Sequence, residues 1–136
     1  MTSNKIFLDS NVILYLFDSL ETKRSISQNL LSQSPLINPQ VLVEVGNICK
    51  RKLGFSKEQV TDLWKNLMQD CICTDIGGVT MTLAVSLISK YDFQLFDAII
   101  VAGALEANCD ILYSEDMQHK MVVEDTMTII NPFLLN

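Results

Sequence analysis

Hydrophobic and polar positions along this chain switch repeatedly between a short-strand pattern and a helical one. Lys5-Ile6-Phe7-Leu8-Asp9 is a brief apolar run ending in an acid, the pattern of a buried central strand. Ser10-Asn11 can cap a helix, and Val12 to Phe17 suits one. Residues 22–33 read as a second helix with Ile26, Leu30 and Leu31 on one side, and Leu36-Ile37 as a brief strand. Asn38-Pro39 is a helix start, with Asn as N-cap and Pro in the first turn, and that helix should run to about Lys52 and stop at Gly54. The next helix has the clearest signals. Ser56 and Gln59 form a capping box, Phe55 and Val60 occupy the staple positions, and Val60, Leu63, Trp64, Leu67 and Met68 line one face.

Cys71 to Thr74 alternates as a strand would, and Gly77-Gly78 breaks it. Met81, Ala84, Val85, Ile88 and Tyr91 form another helical stripe, and Asp97 opens a strongly apolar helix through Ala107. Asp110 to Tyr113 reads as a strand, followed by the polar turn Ser114-Glu115-Asp116, and Thr126 to Ile130 as the last strand. Short apolar strands alternating with helices predict an α/β fold with a mainly parallel sheet. No repeat or linker divides the chain, so residues 1–136 are expected to form one domain. In such sheets ligands bind beyond the carboxyl ends of the strands, and Asp9 and Asp116 both fall just past a predicted strand.

Composition adjusts this picture in three respects. The chain is 49% hydrophobic, enough for a core without disulfides or a structural metal. Its four cysteines and single histidine lack zinc-site spacing, and read as buried thiols of a reducing cytosol. No membrane span or signal pattern is apparent, so a cytoplasmic location is expected. The net charge of −6 argues, in bulk, against a nucleic-acid partner.

The placement of the acids reverses that inference. Asp9 follows Ile-Phe-Leu, Glu44 stands in Val-Leu-Val-Glu-Val, Asp97 in Leu-Phe-Asp-Ala-Ile-Ile, and Asp116 follows Ile-Leu-Tyr-Ser-Glu. Unpaired carboxylates in apolar segments are costly, and several together repel one another. Basic residues are scarce near these segments, so a divalent cation is the simpler compensation. All-oxygen ligands suit Mg²⁺ or Mn²⁺ rather than zinc. A cation site of this kind can hydrolyse a phosphodiester and offset the repulsion between acids and an anionic backbone. Each acid also has an ordinary reading. Asp9 and Asp116 could be caps or turn residues, Asp97 a first-turn acid, and Glu44 part of a stripe facing water.

The segments Phe7-Leu8-Asp9-Ser10-Asn11-Val12, Val41-Leu42-Val43-Glu44, Phe96-Asp97-Ala98-Ile99-Ile100-Val101-Ala102 and Cys109 to His119 appear in the order of four sequence blocks of PIN domains. The chain resembles that family, especially the toxins of bacterial type II (VapBC-type) toxin–antitoxin pairs. The resemblance implies a three-layer α/β/α fold and a Mg²⁺- or Mn²⁺-dependent ribonuclease. Asp9, Glu44, Asp97 and Asp116 match the family's catalytic and metal-holding acids, and Asn11 and Ser114 its supporting polar positions. It further implies an RNA substrate, a cognate antitoxin that places a basic side chain in the acidic pocket, a homodimer, and DNA contact only through the antitoxin. Glu115 is expected to point away from the site. Ser-Glu-Asp replaces the more common Thr-x-Asp, and Asp92 has no reading from the sequence.

Lys50-Arg51-Lys52 with Lys57 is the main basic cluster, with Lys23-Arg24 a weaker one. Either could meet RNA phosphates, and the first equally suits a solvated helix end. A phosphotransfer receiver domain would show paired acids after its first strand and a conspicuous late lysine. An Asp-nucleophile phosphatase would show Asp-x-Asp where this chain has Asp9-Ser10-Asn11. The remaining alternative is a catalytically silent PIN-fold module that binds RNA or protein.

Overall fold

Three consecutive buried apolar residues, Ile6–Leu8, form strand β1 at the centre of the sheet. A strand buried on both faces needs no alternation, and β1 has none. The computed structural model describes residues 4–134. After β1 come α1 (Ser10–Leu14), a 3₁₀ turn (Tyr15–Phe17), α2 (Glu21–Leu31), β2 (Leu36–Ile37), α3 (Pro39–Leu53), α4 (Lys57–Asp70) and β3 (Ile72–Cys73). The chain continues through α5 (Gly78–Tyr91), α6 (Leu95–Glu106), β4 (Ile111–Tyr113), β5 (Val122–Val123) and β6 (Met127–Ile130).

The strand order is β3-β2-β1-β4-β6-β5, parallel except for β5, which runs antiparallel to β6. Helices cover the sheet in a three-layer α/β/α arrangement. From β1 the chain first builds outward through β2 and β3. It then returns to place β4 on the opposite side of β1, with Phe7 beside Leu112 and Leu8 beside Tyr113. This reversal opens a crevice between the carboxyl ends of β1 and β4, the switch point at which open α/β sheets bind ligands.

Local signals set the helix ends. Asn38 caps α3 by accepting from the Val41 amide, and Gly54 ends it at φ 69°, a left-handed position that costs glycine little. The capping box of α4 forms in both directions, Gln59 N to Ser56 Oγ at 3.1 Å and Ser56 N to Gln59 Oε1 at 2.8 Å. Helices α3 and α4 approach closely at Gly46. A Cβ there would stand 2.8 Å from Trp64 Cζ2, and the Trp64 indole N–H donates to Leu42 O at 2.7 Å.

One expectation changes, and one residue gains a reading. The stripe assigned to α5 is rotated: Thr80, Ala84 and Leu87 are the buried residues, while Met81 and Val85 are exposed. Helix α5 is apolar on most sides, so periodicity could not single out the face that packs on α6. Asp92, unread in the sequence, is the C-cap of α5 at φ 60°, a left-handed position that Asp tolerates better than most residues. All four cysteines are free thiols, and three are buried.

Candidate active site

Because β1 ends at Leu8, Asp9 is the first residue beyond its carboxyl end. Its amide still donates to Tyr113 O at 3.0 Å, which holds it against the end of β4. Its backbone is extended, it caps α1, and Oδ1 accepts from the Ser10 amide at 2.7 Å. Oδ2 accepts from Ser114 Oγ at 2.8 Å and from Asn11 Nδ2 at 3.2 Å. The capping reading and the site reading therefore describe the same carboxylate.

Glu44 lies on the second turn of α3 and is half-buried. Its Oε1 accepts from Ser10 Oγ at 2.9 Å and its Oε2 from Gln40 Nε2 at 3.4 Å. Asp97 lies in the first turn of α6, also half-buried. Asp116 is exposed in the turn after β4, and accepts from Asn11 Nδ2 at 3.2 Å. These four acids and Asn11 line one cavity of about 490 Å³. Ser114 is fully buried behind it, donating to Asp9 and accepting from the Met117 amide at 3.3 Å. Glu115 turns away, accepting from Tyr15 Oη at 2.7 Å with Lys23 Nζ at 3.7 Å.

The cavity concentrates negative charge. Among the described residues the ion pairs are Lys23–Glu115 and Lys90–Glu124, so none of its acids is salt-bridged. Burial pushes the Asp9 carboxyl up to about 7. Repulsion from Asp97 and Glu44 adds to this, and the hydrogen bonds from Ser114 and the Ser10 amide oppose it. Burial also raises Asp97, helped by repulsion from Glu44 and Asp116. Among the described residues no three His, Cys, Asp or Glu side chains already stand as a metal cage. Mg²⁺ requires no such cage, since it keeps several waters and takes only one or two carboxylates directly. An all-oxygen donor set held together against its own repulsion fits a hard divalent cation.

The structure adds residues that sequence reasoning left out of the site. Ser10 serves as more than a cap, since its hydroxyl lies within reach of both Glu44 Oε1 and, at 3.4 Å, Asp9 Oδ1. Gln40, Asn47 and Arg51 line the same cavity from α3. Arg51 follows Glu44 by seven residues, two helical turns on the same face, and that spacing was the available signal.

A mainly parallel sheet with clustered carboxylates at its switch point defines an α/β protein with an acidic site at its strand ends. The PIN domain family model matches residues 6–124, and the chain belongs to that family. Its fold is shared with a chain of a toxin–antitoxin complex from Klebsiella pneumoniae, at TM-score 0.70 and 18% identity, covering 94% of this chain and 97% of that one. It is shared with VapC20 of Mycobacterium tuberculosis, a sarcin–ricin loop-cleaving toxin, at TM-score 0.67 and 17% identity, covering 82% and 90%. DNA-bound VapBC from Salmonella typhimurium gives TM-score 0.68 and 14% identity, covering 93% and 97%. No curated protein matches the sequence. Among the described residues no helix is long and apolar enough to cross a membrane.

Proposed function

We propose that this chain is a metal-dependent endoribonuclease and the toxin of a toxin–antitoxin pair. The observation that carries the reading is the convergence of Asp9, Glu44, Asp97 and Asp116 on one cavity without a salt-bridge partner. These acids would hold Mg²⁺ or Mn²⁺, which when bound polarises a phosphoryl oxygen and brings a water near deprotonation at neutral pH. The chain's own part is orientation. Ser114 and the Ser10 amide fix the two oxygens of Asp9, the Ser10 hydroxyl fixes Glu44, and Asn11 spans Asp9 and Asp116.

The toxin–antitoxin context of the structural neighbours supports an antitoxin partner, with DNA reached only through it. A homodimer accords with the resemblance and with exposed Val79, Val85 and Leu95 on α5 and α6.

The test is cleavage of a pool of structured and single-stranded RNAs by antitoxin-free protein with Mg²⁺, Mn²⁺ or EDTA. The expected result is metal-dependent cutting that falls about 10²–10³-fold in Asp9→Asn and Asp97→Asn. A wild type inert toward every RNA with both metals, or variants that cut equally well, would leave a silent PIN-fold module.

A further inference from the structure

Glu115 stands beside Asp116 in the sequence, yet its side chain turns away from the acidic cavity. Its main chain does not. Residues 115–117 form a bend without helix or strand bonds, so the path of this segment depends on what individual groups hold it. The Glu115 amide donates to Asn11 Oδ1 at 3.0 Å. That bond leaves the Asn11 side chain one orientation. A peptide N–H can only donate, so the Asn11 atom facing it must be the oxygen, and both hydrogens of Nδ2 are left for the acids. They go to Asp9 Oδ2 and Asp116 Oδ2, each at 3.2 Å. With the Asn11 amide turned over, its oxygen would face two carboxylates and its nitrogen another donor.

Three parts of the chain hold Glu115 in place. Tyr15, at the start of the 3₁₀ turn, shares its hydroxyl hydrogen between both carboxylate oxygens, Oε1 at 2.7 Å and Oε2 at 2.8 Å. Burial, and then the bond to Glu115, push this hydroxyl above its ordinary value, so it remains a donor at neutral pH. Lys23 of α2 stands 3.7 Å from Glu115 Oε2 and donates to Tyr15 Oη at 3.3 Å, with its charge 4.6 Å from the centre of the Tyr15 ring. Beyond β6, Phe133 packs on the Tyr15 ring at 4.4 Å between centroids, and Asn131 Nδ2 reaches Glu115 O at 3.5 Å.

We infer that Tyr15 and Glu115 are positioning residues of the acidic site: Tyr15 fixes the Glu115 side chain, the Glu115 amide sets Asn11, and Asn11 holds Asp9 and Asp116 together. Neither Tyr15 nor Glu115 lines the acidic cavity, so both act through Asn11. Two carboxylates that share one amide group stay close only while that group keeps still, because their like charges repel. The inference rests on the proposed cation site and assigns the support behind it, and its geometry can be tested without a cation.

The experiment follows the Asn11 side-chain amide by ¹⁵N NMR in the full chain with EDTA. Tyr15→Phe keeps the ring beside Phe133 and Lys23 and removes only the hydroxyl. It is expected to move both Asn11 Nδ2–H resonances and to speed their exchange with water, and Glu115→Ala should do the same. Glu115→Gln, whose side-chain oxygen can still accept from Tyr15, should stay close to wild type. The indole resonance of Trp64, which is bonded to Leu42 O, should move in none of the variants. Calorimetry gives the second readout. Tyr15→Phe should weaken Mn²⁺ binding about tenfold. The same change in an Asn11→Ala background should add little, the non-additivity expected when one residue acts through another. Asn11 resonances unchanged in Tyr15→Phe, Asn11 and Trp64 resonances moving together, or an undiminished loss in the Asn11→Ala background each overturns the inference. A wild type that binds no Mn²⁺ sinks the cation site alone, and the Asn11 resonances then decide the positioning of the acids by themselves.

Discussion

At Asp9 the fold holds a carboxyl group at 2% exposure, with Asp97 and Glu44 opposing its charge. Its folded value near 7 lies above the unfolded value of 3.8, so the folded state binds this proton more tightly. The associated stability is fully present below about pH 4 and is lost as pH rises through about 7. Asp9→Asn cannot ionise. In chemical denaturation with EDTA it should therefore gain on wild type between those pH values, by on the order of a few kcal/mol. A difference that stays flat with pH refutes this. Ser114→Ala removes the hydrogen bond that most favours the Asp9 carboxylate, and calorimetry should show Mn²⁺ affinity reduced about 10–100-fold. At this scale the four acids were legible because each interrupts an apolar segment. Ser10 was not, because a serine after a strand is commonly a cap and only its neighbours in space distinguish it, and Arg51 was read only as part of a basic cluster although its spacing from Glu44 put both on one helix face.

Among the elements, α3 matters most, since it presents Glu44 and Arg51 to the acidic cavity and rests on α4 through Gly46. Gly46→Ala places a methyl group 2.8 Å from Trp64 Cζ2 and 3.0 Å from Val60 Cγ1, so the Trp64 ring or α4 itself must shift. The expected loss is about 1–3 kcal/mol in urea denaturation. Trp64 is the only tryptophan, and its emission should redden as its bond to Leu42 O lengthens. An unchanged midpoint and spectrum would show that the contact is slack. Both ends of α3 and the start of α4 were readable because caps, capping boxes and a left-handed glycine act within a few residues. Strand β5 was not read, since two valines have no period and gain meaning only beside β6. The buried face of α5 was likewise set by its packing on α6.

For the whole molecule, the net charge of −6 and a cavity with four carboxylates would make the proposed cation binding a stabilising event. Mg²⁺ at about a hundred times its dissociation constant should add about 2.7 kcal/mol. The resulting rise in Tm should largely disappear in Asp97→Asn. A Tm indifferent to Mg²⁺ and Mn²⁺ alike would count against a cation in this cavity. The α/β class and parallel strands could be inferred from alternation of periods. The order β3-β2-β1-β4-β6-β5 could not, because sequence spacing does not state which strand returns to lie beside β1.

That return has a consequence for the making of the protein. Asp9 and Ser114, and Asn11 and Asp116, are each 105 residues apart along the chain, yet they meet directly. A ribosome adding 5–20 residues per second needs roughly 5–20 s to synthesise that interval. Throughout it, the emerging chain carries Asp9, then Glu44, then Asp97, without the strand that gathers them. A nascent chain ending before β4 has every acid but one and no assembled pocket. The acidic pocket thus cannot assemble before β4 has emerged, by the order of the strands alone.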